Sequence, residues 1–146
     1  MAEPNPTLMQ MTAREAVART AWAEDRSGSR EGMHAVINVI ANRVRNPRWW
    51  GHTWQEVCFM PEQFSSWNPG DPNGPKALAV GPDDELFADA LELAEMAIQG
   101  DLPDLTQNAD SYYAAASPSI PFWTARATFT VEIGGQRFYR TELSAV

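Results

Sequence analysis

Apolar residues recur at three- and four-residue steps in two stretches of the chain. Met33, Val36, Ile37, Ile40 and Val44 form one stripe, and the spacing predicts an amphipathic or buried helix from near Arg30 to Arg45, ended by Pro47. Leu86, Phe87, Ala90, Leu91, Ala94, Ala97 and Ile98 form the other. That stripe predicts a helix from Asp83 to Gln99, with acids in its first turn and Gly100 and Pro103 as stop signals. An Ala-rich run after Thr12-Ala13-Arg14-Glu15, which fits a capping box, predicts a helix to about Trp22, closed by the turn Ser27-Gly28-Ser29. A second capping box, Thr53-Trp54-Gln55-Glu56, opens a short helix ending near Phe59.

The period changes in the last third. Residues 127–133 alternate, Gly134-Gly135 is a two-residue turn, and Gln136-Arg137-Phe138-Tyr139-Arg140 returns, which predicts a hairpin. Ser111-Tyr112-Tyr113-Ala114 fits a third, short strand. Residues 61–75, rich in proline and glycine, read as one long loop, and long loops in compact domains are often functional. Residues 1–11 read as a flexible lead-in and 12–146 as a single domain. The fold class expected is α+β, helices first and a small antiparallel hairpin sheet last.

Composition narrows the options. A chain of 146 residues, 44% hydrophobic and 21% charged, can bury roughly two-thirds of its unfolded surface in one core. Its net charge of −8 argues against a phosphate-backbone partner, so no nucleic acid is expected. Nine acids and no base lie between Lys76 and Arg126, while seven of the ten arginines fall between Arg14 and Arg48. No apolar run is long enough for a membrane span, and the first residues lack the basic and apolar regions of a signal peptide. Synthesis in the cytoplasm without export signal, and a monomeric state, are the corresponding expectations. Cys58, the single cysteine, sits among Val57, Phe59 and Met60 and reads as a buried thiol. With two histidines besides, no metal site and no cofactor is expected.

Three groups of residues could carry chemistry. Glu24 falls at the C-terminal end of the first helix, where the macrodipole disfavours a negative charge, and Trp22 and Ala23 add apolar surroundings. Both effects favour the protonated acid, the form that a general acid for glycosidic cleavage must present. The alternative is a surface ion pair with Arg26 or Arg19. Gln63, Ser65 and Trp67 in the irregular loop and the pair Tyr112 and Tyr113 offer the amides, hydroxyls and rings that sugars bind; Trp49, Trp50 and Trp54 read as core. Asn38 and Asn42 share one side of the second helix, which suits buried hydrogen bonding to a loop.

These residues resemble the SleB-type cell wall hydrolases, which include spore-cortex-lytic enzymes and phage endolysins. The resemblance rests on Ala21-Trp22-Ala23-Glu24-Asp25-Arg26 with Arg30 to Met33 and Asn42-Arg43-Val44, followed by Pro61 to Trp67, Asp110 to Ala114, Pro121-Phe122-Trp123 and Ile133 to Tyr139, all in order. It implies a lysozyme-like, lytic-transglycosylase-like fold acting on peptidoglycan glycan strands. It implies cleavage between N-acetylmuramic acid and N-acetylglucosamine with Glu24 as the single acid/base, and Gln63, Ser65, Trp67, Tyr112 and Tyr113 lining the glycan groove. A bare catalytic domain of this kind suits a phage endolysin that reaches the wall after release. Where the family pattern has a second acid, this chain has Gly28, and candidates for a hydrolytic partner are Asp25 and Glu31. Other expectations left open are a hydrolytic muramidase of the same fold, a non-catalytic glycan-binding module and a phage structural component.

Overall fold

In a computed structural model, residues 3–25 and 27–141 are described; Arg26, expected beside Glu24, lies outside them. Five helices precede and flank a three-stranded sheet: α1 (Ala13–Glu24), α2 (Arg30–Arg45), α3 (Trp54–Phe59), α4 (Asn73–Ala79), α5 (Glu85–Ile98), then β1 (Ser111–Ala114), β2 (Ala127–Ile133) and β3 (Gln136–Thr141). The sheet is antiparallel in the order β1-β3-β2, so the predicted hairpin is joined by β1 on the free side of β3.

Side-chain caps set the helix starts. Thr12, Ser29, Thr53 and Asp84 each accept a backbone N–H from the first turn of their helix. At Thr53 the box is reciprocal, because Glu56 also accepts the Thr53 N–H. At Thr12 it is half formed; Glu15 turns instead to Arg19.

Helix α2 is the axis of the molecule. Met33, Val36, Ile37 and Ile40 pack into the main core with Val17 and Ala21 of α1 and Phe87, Leu93 and Ala94 of α5. Ala35 and Val39 on another face meet Ala109 and Phe138, a smaller cluster that seats the sheet. Being covered on both sides explains why α2 is buried on nearly every side from Gly32 to Arg43, its polar Asn38, Asn42 and Arg43 included.

Two segments differ from the sequence reading. The lead-in is not loose throughout: Leu8–Gln10 form a 3-10 turn, and Leu8, Met9 and Met11 pack against the main core. The loop expected over 61–75 contains a 3-10 turn at Ser65–Trp67 and the start of α4. Pro75 is the third residue of α4, within the first turn, where a missing N–H breaks no intrahelical bond, so proline there starts a helix as readily as it interrupts one. No described helix is long and apolar enough to cross a membrane.

Candidate active site

Glu24 is the last residue of α1, with Asp25 as its C-cap. Its Oε2 accepts two hydrogen bonds from Ser66, one from the backbone N–H at 3.1 Å and one from the hydroxyl at 2.5 Å. Tyr112 on β1 donates its hydroxyl to Oε1 at 3.4 Å. Thus one carboxylate oxygen is fixed by the loop after α3, and the other is left to Tyr112 and the cavity beside it. That cavity, of about 560 Å³, is lined by Glu24, Gln63 and Ser65 on one side and Ser111, Tyr112 and Trp123 on the other. It lies between the helical part and the sheet, the usual place for a ligand cleft in such a fold.

Arg43 of α2 forms part of the cavity wall although only 6% of it is exposed. Its Nε donates to the Asp110 carbonyl at 2.8 Å and its Nη1 to Gln63 Oε1 at 3.5 Å. Burial pushes its guanidinium down to about 10, against the pull of Tyr112 and Asp110. The cation lies near the faces of Trp50 and Phe64, 5.0 and 5.6 Å from their centroids. Asp110 does not pair with it directly; its carboxylate accepts from Thr141, Ser111 and, at 3.8 Å, Arg48.

The structure gathers Glu24, Gln63, Ser65 and Tyr112 around one cavity. It does not bring Tyr113 or Trp67 there. Consecutive residues of a strand point to opposite faces, so Tyr113 turns away from Tyr112 and stacks on Tyr139, with ring centroids 5.9 Å apart. Trp67 donates its indole N–H to Thr20 Oγ1 at 3.0 Å and packs edge-on against Phe59; its remaining surface lines two other clefts. Conversely, Trp50 is buried as expected, but Trp49 beside it is 57% exposed and lines the cavity, as does Phe122 at 92%. Those exposures are set by the turns that follow α2 and precede β2, and residue type carries no signal of them.

Ser66 is the residue that sequence reading missed most directly. It lay inside Ser65-Ser66-Trp67, yet the hydroxyl that reaches Glu24 is that of the buried serine. Neither candidate for a second acid faces the cavity: Asp25 is occupied by Ser27 and Ser29, which it ties into the turn before α2, and Glu31 is exposed outside it. Glu62 does line the cavity. Asn38 and Asn42 do what their spacing suggested, accepting from Leu105 N–H and donating to the carbonyls of Pro103 and Ala109. Cys58 is buried, its thiol pushed up to about 12 by desolvation, so it supplies no nucleophile. Among the described residues no group of His, Cys, Asp and Glu is placed to hold a metal ion.

A sequence profile described as Cell Wall Hydrolase matches residues 27–139, most of the chain. The chain belongs to the cell wall hydrolase family. Solved structures of SleB catalytic domains share its fold. The domain of the germination-specific lytic transglycosylase SleB from Bacillus anthracis superposes with a TM-score of 0.66 at 24% identity, covering 88% of this chain and 93% of that one. The SleB catalytic domain from Bacillus cereus gives 0.67 at 24% identity, covering 88% and 89%. No curated protein sequence matches. This is an α+β cell wall hydrolase with the SleB architecture. The profile match begins just after Glu24.

Proposed function

We propose that this cell wall hydrolase cleaves the bond between N-acetylmuramic acid and N-acetylglucosamine in peptidoglycan, as a lytic transglycosylase with Glu24 as its one acid/base. The observation that carries the reading is the double hydrogen bond from Ser66 to Glu24 Oε2, which fixes a carboxyl at the edge of a cavity lined by amide, hydroxyl and aromatic groups. The similarity in fold to lytic transglycosylase SleB supports it. In the reaction, Glu24 gives its proton to the leaving glycosidic oxygen as the bond to C1 breaks. The muramyl 6-hydroxyl then attacks C1 and returns its proton to Glu24, leaving a 1,6-anhydro end and a restored acid. Gln63, Ser65 and Tyr112 line the groove and bind the glycan.

Glu62 gives a second reading its footing. Inverting and retaining hydrolysis both use a second carboxylate, and Glu62 shares the cavity with Glu24. Mass spectrometry of the soluble products from purified sacculi separates the two. Anhydro-muramyl ends, absent with Glu24→Gln, are expected; reducing muramyl ends would mean hydrolysis, and binding without products would mean a glycan-binding module. We place the activity in phage lysis, where a pore-forming partner releases the enzyme to the wall. Expression alone should leave a culture growing, and co-expression with a holin should clear it.

A further inference from the structure

A guanidinium that is almost wholly buried normally has a carboxylate against it, because an unpaired charge away from water is costly. Arg43 does not. Two of its nitrogens reach neutral acceptors, the Asp110 carbonyl and Gln63 Oε1, while Nη2 has no hydrogen-bond partner among the described residues. Rings of Trp49, Trp50 and Phe64 surround the rest of the group, and it forms part of the wall of the cavity that holds Glu24. The remaining donor opens on the cavity, where it meets water or an acceptor brought in by a ligand. In a cavity whose other charged groups are Glu24 and Glu62, a ligand's acyl or carboxylate oxygen would settle at Arg43 rather than elsewhere.

The two sugars of the glycan differ by a single substituent, the lactyl ether of the muramyl unit, which ends in an acyl oxygen. We propose that Arg43 is the residue by which the cleft tells a muramyl unit from a glucosaminyl one, its guanidinium donating to the lactyl acyl oxygen. This rests on the glycan-cleaving reading and deepens it: it fixes which sugar sits at Glu24. Gln63 takes part as the neutral acceptor that holds Nη1 and so orients the fork.

The test is an NMR titration of the Glu24→Gln protein, which needs no turnover, with N-acetylmuramic acid, its methyl ester and N-acetylglucosamine. N-acetylmuramic acid should bind about tenfold more tightly than N-acetylglucosamine, with the ester between them. The preference is the more telling because the chain's net charge of −8 opposes any anion. Adding Arg43→Met should bring the ratio close to one, and Arg43→Lys should keep part of it. A merely structural role would lower thermal stability and weaken both sugars alike. Equal binding of the two sugars, no binding of either, or a ratio that survives Arg43→Met would overturn the proposal. If Arg43→Met does not fold, the comparison of acid, ester and glucosaminyl sugar on the parent protein still decides. Anhydro products from sacculi without a muramyl preference would sink the role of Arg43 alone, whereas a preference without products would sink the catalytic reading alone.

Discussion

Ser66 places both its backbone N–H and its hydroxyl on the same oxygen of Glu24, at 3.1 and 2.5 Å. Such a pair fixes the carboxyl plane, because rotation about the last side-chain bond would break both contacts together. Removing the hydroxyl with Ser66→Ala leaves the N–H as a single pivot. A hydrogen bond between neutral groups is worth about 0.5–1.5 kcal/mol, so kcat on sacculi should fall by about 2- to 10-fold while KM changes little. Ser66→Thr, which keeps the hydroxyl, should recover part of the loss; a fall in KM and kcat together, or no rescue, would argue that Ser66 only packs the loop.

The Ser66 backbone is itself held against α4. A Cβ on Gly74 would stand 2.6 Å from the Ser66 carbonyl oxygen, a backbone atom that has little room to give. Gly74→Ala should therefore destabilise the fold by about 1–3 kcal/mol through overpacking, and reduce activity as well by shifting Ser66. Thermal unfolding and turnover of one preparation check both. An alanine variant with unchanged stability and turnover would show that the loop yields freely.

Glu62 adopts a left-handed backbone, φ 67°, at the cavity's edge. That region costs a residue with a Cβ roughly 1–2 kcal/mol, and glycine gives part of the relief back in unfolded-chain entropy. Glu62→Gly is expected to raise stability by about 1 kcal/mol, and it would lower kcat/KM only where cleavage is hydrolytic with Glu62 as second carboxylate. Chemical denaturation alongside a turnover assay would test the trade, and a destabilised variant would contradict it.

Acid should weaken the fold through two carboxylates. Glu56 is held below the ordinary glutamate range by the His52 N–H, with the Thr53 donors adding to it against the effect of burial. Burial works against the charge of Asp104, but the Thr106 hydroxyl and N–H, the Asn42 amide and the Asn108 N–H outweigh it and hold the group below its ordinary value. A depressed folded-state value means stability fully present above the unfolded values, 4.5 and 3.8, and lost as pH falls through the lower folded ones. Unfolding curves from pH 7 to 2 should steepen below about pH 4.5. Asp104→Asn should lower stability at pH 7 and flatten the part of that fall near pH 4; a parallel shift of the whole curve would argue against linkage at this site.

How far the sequence carried depends on what each position reports. The stripe of α2 and the Thr53 capping box are local patterns, and both fall within a residue of the observed ends. Glu24, Gln63, Ser65 and Tyr112 converge although 88 residues separate the first and last, and it was a chain of resemblances in order, not any spacing, that grouped them. Tyr113 could have been set apart in advance, since a two-residue period sends neighbours to opposite faces. Trp67 could not: its indole finds Thr20 only because the loop folds back across α1. Exposure of Trp49 beside buried Trp50 is likewise a product of the turn after α2. Burial of Arg43 follows from α2 being covered by core on one face and sheet on another, which a single helical stripe does not reveal.

The unequal size of those two covers has a consequence for how the enzyme fails. The helices share a broad apolar core, whereas the sheet is seated by Ala35, Val39, Ala109 and Phe138 and by the polar tethers of Asn38, Asn42 and Arg43. Amide protons of the strands should then exchange sooner than those of α1, in a subglobal opening that swings Tyr112 off while Ser66 keeps its grip on Glu24. Warming would silence the enzyme before it melts, and cooling would restore it without refolding the helical part.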